Sequence, residues 1–264
     1  MQSRRAFVRR LLGGARGAIL WEGPSLLDGR PLVVIATSLV SKGTMANQKT
    51  GDVIQTWILL RDLEPAAALG REDRSICGDC KLRGAQGRRR DCYVHIGMVG
   101  RTHQAYREGI YPRLPDSPAL RAALFGGRVV RLGSYGDPAF VPPAVWDPVF
   151  RWSAGWIGYT HAWQSCDQDL RRFLMASVDT PEERLVARQR GWRTFRVLHA
   201  WEQLGEREIW CPATQEGGHK SACERCRLCD GVADSPGRRD IGLYFHGPAA
   251  LGEARFRGLK VING

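Results

Sequence analysis

Seven of the eight cysteines in this chain stand at ligand-like spacings. Cys211 opens a C-x11-C-x2-C-x2-C array completed by Cys223, Cys226 and Cys229, while Cys77, Cys80 and Cys92 form C-x2-C-x11-C. Three thiolates at a repeat of three, closed by a fourth upstream, suit the corners of a cubane iron-sulfur cluster, whereas zinc sites usually draw on two separated Cys-x2-Cys pairs. The later array is therefore read as an iron-sulfur ligand set on a loop without helical or strand periodicity, with zinc as the alternative. The earlier group has three cysteines and no obvious fourth. A [4Fe-4S] cluster held by three thiolates keeps one iron open for a small ligand. The competing reading adds His95, since Cys77-x2-Cys80-x11-Cys92-x2-His95 is an acceptable Cys3His zinc pattern. Cys166 has no spaced partner and is expected to be a buried small residue.

Whether those thiols are free to ligate depends on the compartment. No apolar run reaches the roughly 18 residues of a membrane span, and the basic opening MQSRRAFVRRLLGGARGAIL lacks the apolar core of a secretory signal. A cytoplasmic protein with no membrane partner and reduced cysteines is expected. The net charge of +12 comes largely from arginine, in clusters such as Arg88-Arg89-Arg90, Arg171-Arg172 and Arg238-Arg239. Arginine forks suit phosphates, so DNA or RNA is a candidate partner; the plain alternative is a set of solvated faces, and no nucleic-acid-binding module is visible. There is no GxxxxGK[ST] phosphate loop and no GxSxG elbow, which sets aside two large enzyme classes.

The elements that must position the cysteines are legible as short apolar runs: PLVVIATSL, DVIQTWILL, GRVVRLGSYGD, WIGYTHAW, RFLMASVD, RTFRVLHA, REIWCPAT and DIGLYFHG. These are patterns of strands buried on both faces. Helical stretches lie between several of them: HQAYREG, SPALRAALFGG, AVWDPVFRWSAG, DQDLRRFL and PEERLVARQRG. The alternation predicts an α/β fold with parallel strands. The link between the first two runs is too short for a helical crossover, so those two are expected to pair as a hairpin. The reading is a single domain over residues 1–264, a partial or irregular (β/α) barrel, with cysteine-rich insertions at about 64–117 and 211–239.

Polar residues gather where the runs end: Tyr135 and Asp137, Thr160 and His161, Asp179, His199 and Glu202, Cys211, His246. That edge of a barrel is where catalytic groups collect. No individual catalytic residue can be assigned from this pattern. His161 and His199 either face a barrel mouth or are satisfied structural histidines. Gly133, Tyr135, Gly136 and Asp137 form a glycine-containing turn whose acid and exposed backbone could hold the ammonium of an aminoacyl ligand, against the ordinary reading of Asp137 as an N-cap or Asx turn. Trp152, Trp156, Trp163, Trp192, Trp201 and Trp210 lie beside strands and are expected in the core.

In order, strand, cysteine loop ending Cys92-Tyr93, helix, strand and GSYGDP (133–138) resemble the opening half of the radical S-adenosylmethionine (SAM) partial barrel. More closely, NQKTG (47–51), CGDC to CY, RLGSYGDP, GYTHAW, SVDT and CPAT followed by CxxCxxC are similar to phage- and plasmid-encoded cysteine-motif proteins of the gene-product-88-like type, over roughly Pro31 to Gly247. The resemblance implies a radical-SAM-like barrel of a mobile element with no settled substrate; the leading expectation is an iron-sulfur enzyme that modifies nucleic acid or a nucleotide, with an external redox donor. Cys77, Cys80 and Cys92 would hold the reactive cluster, the other four cysteines an auxiliary one, and Asp137 would help place SAM. Radical SAM loops usually space their cysteines C-x3-C-x2-C, which differs from the spacing here. The second class that stays open is a non-enzymatic nucleic-acid-binding protein whose cysteine sites are structural zincs.

Overall fold

A computed structural model of the chain describes residues 2–40, 49–85, 87, 90–115, 117–232 and 238–245. Asn47, Gln48, Arg88, Arg89 and His246 therefore lie outside the described residues. The nine strands are β1 (Gly17–Pro24), β2 (Pro31–Thr37), β3 (Ile54–Leu60), β4 (Val129–Tyr135), β5 (Gly155–Thr160), β6 (Met175–Val178), β7 (Thr194–Leu198), β8 (Glu208–Trp210) and β9 (Asp240–Tyr244). They form one sheet in the order β1-β2-β3-β4-β5-β6-β7-β9-β8. β1, β2 and β3 are antiparallel neighbours, and every pairing from β3 onward is parallel. The fold is α/β with an open, mixed and mostly parallel sheet.

All eight apolar runs are strands. β2 and β3 pair as the expected hairpin, in register from Leu32↔Leu60 to Thr37↔Gln55. β1 is an addition that the sequence reading missed: it lies in the basic opening segment, where Trp21 and Glu22 interrupt the apolar run. β9 inserts between β7 and β8, so the last two strands are out of chain order.

Helices α1 (Gln2–Leu11), α2 (Pro65–Ala68), α3 (Arg74–Cys77), α4 (Ile96–Arg107), α5 (Pro118–Phe125), α6 (Asp147–Trp152), α7 (Pro181–Gln189) and α8 (Cys223–Cys226) fill the connections. Local chemistry sets the better-defined starts. Ser117 caps α5 by accepting from the Leu120 amide, with Pro118 at the first helical position, where its missing N–H costs nothing. Thr180 caps α7 through the Glu183 amide at 3.1 Å, and Glu183 reaches back to the Asp179 amide at 2.7 Å, a variant of the reciprocal capping box. DQDLRRFL forms only a short 3-10 segment over Gln168–Arg172 rather than a full helix. Cys223 to Cys226 make one helical turn, where the sequence reading had an irregular loop.

The main core includes Leu32, Ile35, Ile54, Ile58, Leu124 and Trp146, all essentially inaccessible. Trp163 and Trp192 are buried as expected, but Trp152 and Trp201 are exposed. A second, smaller apolar cluster of Ile157, Met175, Cys229 and Ile241 has Cys211 and Cys223 packed against it. Buried carboxylate-arginine pairs replace apolar packing in two places. Arg196 on β7, 1% exposed, bonds both oxygens of Glu208 at 3.0 and 2.8 Å. Asp240 at the start of β9 accepts from Arg188 at 2.6 Å, from Arg184 at 3.1 Å and from the Thr194 amide at 3.0 Å.

Candidate metal centres at the two ends of one cavity

Side chains alternate across a strand, so residues two apart on adjacent strands share a face. Arg131 and Tyr135 of β4, Ile157 and Tyr159 of β5, Ser177 of β6 and Phe195 of β7 line one cavity of about 230 Å³ on a single face of the sheet. Cys77, Cys80, Cys92, Cys211 and Cys223 also line it. The fold thus brings both cysteine groups, far apart in sequence, to one chamber. All eight cysteines are free thiols.

The first group sits where the strands end. Ile76 accepts from the Asp137 amide, just beyond β4, at 2.6 Å. Cys80 Sγ lies 3.7 Å from Nε2 of His161, just beyond β5. Lys81 bonds Asp179, just beyond β6, at 3.2 Å and Glu183 at 3.0 Å. Gly78, between the first two cysteines, has φ +57°, and a Cβ there would meet the Phe140 ring at 2.6 Å. A buried Arg83–Asp73 pair at 2.6 Å pins the same segment.

Most of the second segment sits where the strands begin, while Cys211 itself follows the end of β8, its amide donating to the Gly242 carbonyl of β9 at 2.8 Å. The Gly158 amide of β5 donates to the Cys229 carbonyl at 3.0 Å, and Arg227 donates to Ala154, just before β5, at 2.8 Å. The Cys223 and Glu224 amides donate to Lys49 and Thr50, and the Glu224 carboxylate accepts from the Asp52 amide at 2.5 Å, all just before β3. Asp230 pairs with Arg193, which precedes β7, at 3.2 Å and with Arg238, which precedes β9, at 2.7 Å. The Cys211–Cys229 segment therefore runs from the end of β8, past β5, to the residues before β3.

Burial raises the pKa of the Cys77 thiol well above its ordinary value, with repulsion from Cys80, Asp73 and Cys92 adding to it. Cys211 is pushed up to about 11, first by burial and then by Cys223 and Cys226 against the pull of a backbone hydrogen bond. Cys229 is raised as well, chiefly by burial, with Tyr159 opposing the rise and the charges of Cys211, Cys223 and Cys226 adding to it. Within each group the thiols feel one another's charge. Their protons must leave before they can ligate a metal. Burial opposes protonation of His161, but the Cys80 thiolate, Asp179 and Asp137 hold its pKa up at about 9.

Among the described residues, no three Cys, His, Asp or Glu side chains are placed to hold a single metal ion. A zinc ion needs four donors converging at about 2.0–2.3 Å. A four-iron cluster binds each thiolate through a different iron, so it asks for sulfurs spread around a larger body. One feature at the first group would suit such a body. The Tyr135 side chain is 4% exposed, its hydroxyl has no hydrogen-bond partner, and the charges of Cys77 and Cys92 act on it. A buried donor left unmet costs about 1–3 kcal/mol, and a cluster sulfide or thiolate would meet it.

No family model matches the chain, and no curated protein or solved structure matches it. The site must be read from its own geometry.

Read so, several expectations change. His95 is exposed and does not line the cavity, so the histidine beside the first group is His161. Asp137 lines the cavity, but its carboxylate already accepts from the Ala139 amide at 3.0 Å, Thr160 Oγ1 at 3.0 Å and the His161 amide at 2.8 Å. An incoming ammonium would compete with three built-in donors, and the Asx-turn role is the one on display. Gly133 and Gly136 need their left-handed φ of +64° and +82°; a Cβ would meet the Gly136 carbonyl at 2.4 Å or Ile58 at 2.7 Å. His199 is exposed and stacks on Trp201, away from the cavity lining. Cys166 is half-buried and donates to the Asp167 carbonyl at 3.6 Å. The sequence reading passed over Arg131 and Tyr159, the polar groups nearest the second thiols; their places on alternate positions of adjacent strands were the available signal.

No helix among the described residues is long and apolar enough to cross a membrane. Arg193 and Arg238, which supply part of the positive charge, are tied to Asp230 rather than to an open basic face.

Proposed function

We propose that the chain is an iron-sulfur enzyme of the radical-SAM-like class, built on a partial (β/α) barrel from β3 to β9, as in gene-product-88-like proteins of mobile elements. The supporting observation is the delivery of two cysteine groups, far apart in sequence, to one cavity. Cys77, Cys80 and Cys92 would hold a cluster at the strand C-terminal ends, the edge where barrel enzymes keep their chemistry. Cys211, Cys223, Cys226 and Cys229 would hold the second cluster. A cluster with one iron open supplies one-electron reduction of a small ligand when bound, SAM in the leading reading.

This chain's own residues do the positioning. Tyr135 would offer its hydroxyl to the first cluster, and His161 holds a proton beside Cys80. Gly133 and Gly136 let the turn after β4 approach the site without a side chain, and Asp137 fixes that turn.

Anaerobic purification followed by iron, sulfide and zinc analysis tests the proposal. The expected result is broad absorption near ~400 nm and about eight irons and eight sulfides per chain, the content of two four-iron clusters. Cys92→Ala should lose about half of both while the chain stays folded. About two zincs per colourless chain would overturn the enzyme reading in favour of a zinc-stapled binding protein.

A further inference from the structure

Among the described residues the buried arginines are matched by carboxylates, and half-buried Arg131, whose Nε is shut off from solvent, is not. The four fully buried arginines, Arg83, Arg184, Arg193 and Arg196, each face a carboxylate. Half-buried Arg128 pairs with Asp52 at 3.1 Å. Arg131 lines the cavity between the two cysteine groups, and among the described residues no carboxylate pairs with it. One of its terminal nitrogens donates to the Tyr93 hydroxyl, its guanidinium carbon lies 5.8 Å from the centre of that ring, and its Nε is shut off from solvent without a hydrogen-bond partner. The groups around it are Tyr93, Tyr159 and Cys223.

A guanidinium is not discharged by burial, and a desolvated cation without a counter-ion is costly. A fork with spare donors inside a ligand-sized cavity is a ready site for a planar or tetrahedral oxyanion. The walls beside it are apolar: Ile157, Phe195, Val197 and Leu243.

We propose that Arg131 is an anion-recognition residue of the cavity, taking the carboxylate or phosphate head of a small ligand whose apolar or aromatic body lies against Ile157, Phe195 and Leu243. This inference rests on the reading of the cavity as the reaction chamber, and it names the class of molecule that enters. It does not require a particular metal.

Phenyl phosphate, benzoate and neutral benzyl alcohol are titrated calorimetrically into the full chain as purified anaerobically, with iron and sulfide counted on the same samples. Wild type should bind one of the two anions and not the alcohol, and which anion binds identifies the head group. Arg131→Met should weaken that binding about 10- to 100-fold, the loss expected for a charge-assisted fork, with the melting temperature and metal content unchanged. Arg131→Lys, which keeps the charge without the fork, should fall between the two and covers the case in which the Met variant does not fold. Equal binding by wild type and variants, or no binding of either anion by wild type, overturns the proposal. So does loss of iron and sulfide in Arg131→Met with anion binding retained, which would make Arg131 the counter-ion of the cysteines. Arg131-dependent anion binding in a chain without iron would sustain this proposal while the enzyme reading fell.

Discussion

The two cysteine groups are built differently. The four-cysteine group lies on a segment woven into the sheet: a β5 amide to the Cys229 carbonyl, a carboxylate cap from Glu224 to the residue before β3, and Asp230 between two arginines. Its segment is held by ties made within the chain, and the open donor beside it, Arg131 Nε, belongs to the cavity wall rather than to that segment. The strand-end group carries three cysteines on the long excursion between β3 and β4, and its neighbour Tyr135 has nothing to bond. Four ligands on a segment tied into the sheet make a closed piece of structure. A group with an unmet donor beside it and one ligand short leaves a place for something else. The comparison supports proposing the scaffold role for the four-cysteine group and the chemistry for the three-cysteine group.

The largest expected effect strikes the scaffold. Asp230→Ala removes the carboxylate between Arg193, which is 4% exposed, and Arg238. Arg193 keeps its bond to the Arg239 carbonyl but loses its counter-charge. The expected cost is about 3 kcal/mol, the low end for stranding one half of a buried ion pair, read from urea unfolding midpoints. The metal content of the four-cysteine end should fall with it while that of the other end persists. A cost below about 1 kcal/mol, typical of an exposed pair, would erase the distinction between the two ends.

A paired substitution sharpens it further. In the metal-free chain, Tyr159→Phe removes a hydroxyl that opposes the rise in the Cys229 pKa and should destabilise by less than about 1 kcal/mol. Tyr135→Phe removes a donor that is unmet and should stabilise the metal-free chain by about 1 kcal/mol or more. In the loaded chain the sign for Tyr135→Phe should reverse, because the hydroxyl then has an acceptor. Opposite signs for the two tyrosines, and a reversal at only one of them, are the measurable content of the claim that one end is complete and the other is not.

How far the sequence announced this arrangement depends on the length scale of each signal. The eight apolar runs encode their own burial, and short-range periodicity suffices to find them. The hairpin of β2 and β3 follows from a link too short to cross over. β1 escaped because Trp21 and Glu22 break its apolar run, and its pairing with β2 is a tertiary matter. The cysteine spacings announced two groups but not their common cavity, which depends on Cys229 docking beside Gly158 across 71 residues. His95 entered as the fourth ligand of the alternative zinc reading because sequence reasoning weighs proximity along the chain. The partner beside Cys80 comes instead from the end of β5, 81 positions away. Asp137 was legible as either ligand holder or turn, and only its three donors show which role is occupied.

The smallest expected effect concerns the excursion that carries the three-cysteine group. His103 on α4 is 4% exposed, with Nε2 buried and unpartnered. Burial lowers its pKa, Arg107 adds to that, and hydrogen bonds to the Leu60 and Arg61 backbone together with Glu64 oppose it. A histidine depressed in the folded state binds its proton more readily when unfolded, so its contribution to stability is present above the unfolded value of about 6.5 and is lost as pH falls through the lower folded value. Mild acid should therefore loosen α4 before it loosens the four-cysteine end. Hydrogen exchange at residues 96–107 should rise between pH 7 and pH 5 in wild type, and His103→Leu should remove most of that rise. Equal rises at α4 and at the residues following Cys211, or a rise unchanged by the substitution, would mean that the two ends respond to acid as one unit and that the excursion has no separate stability.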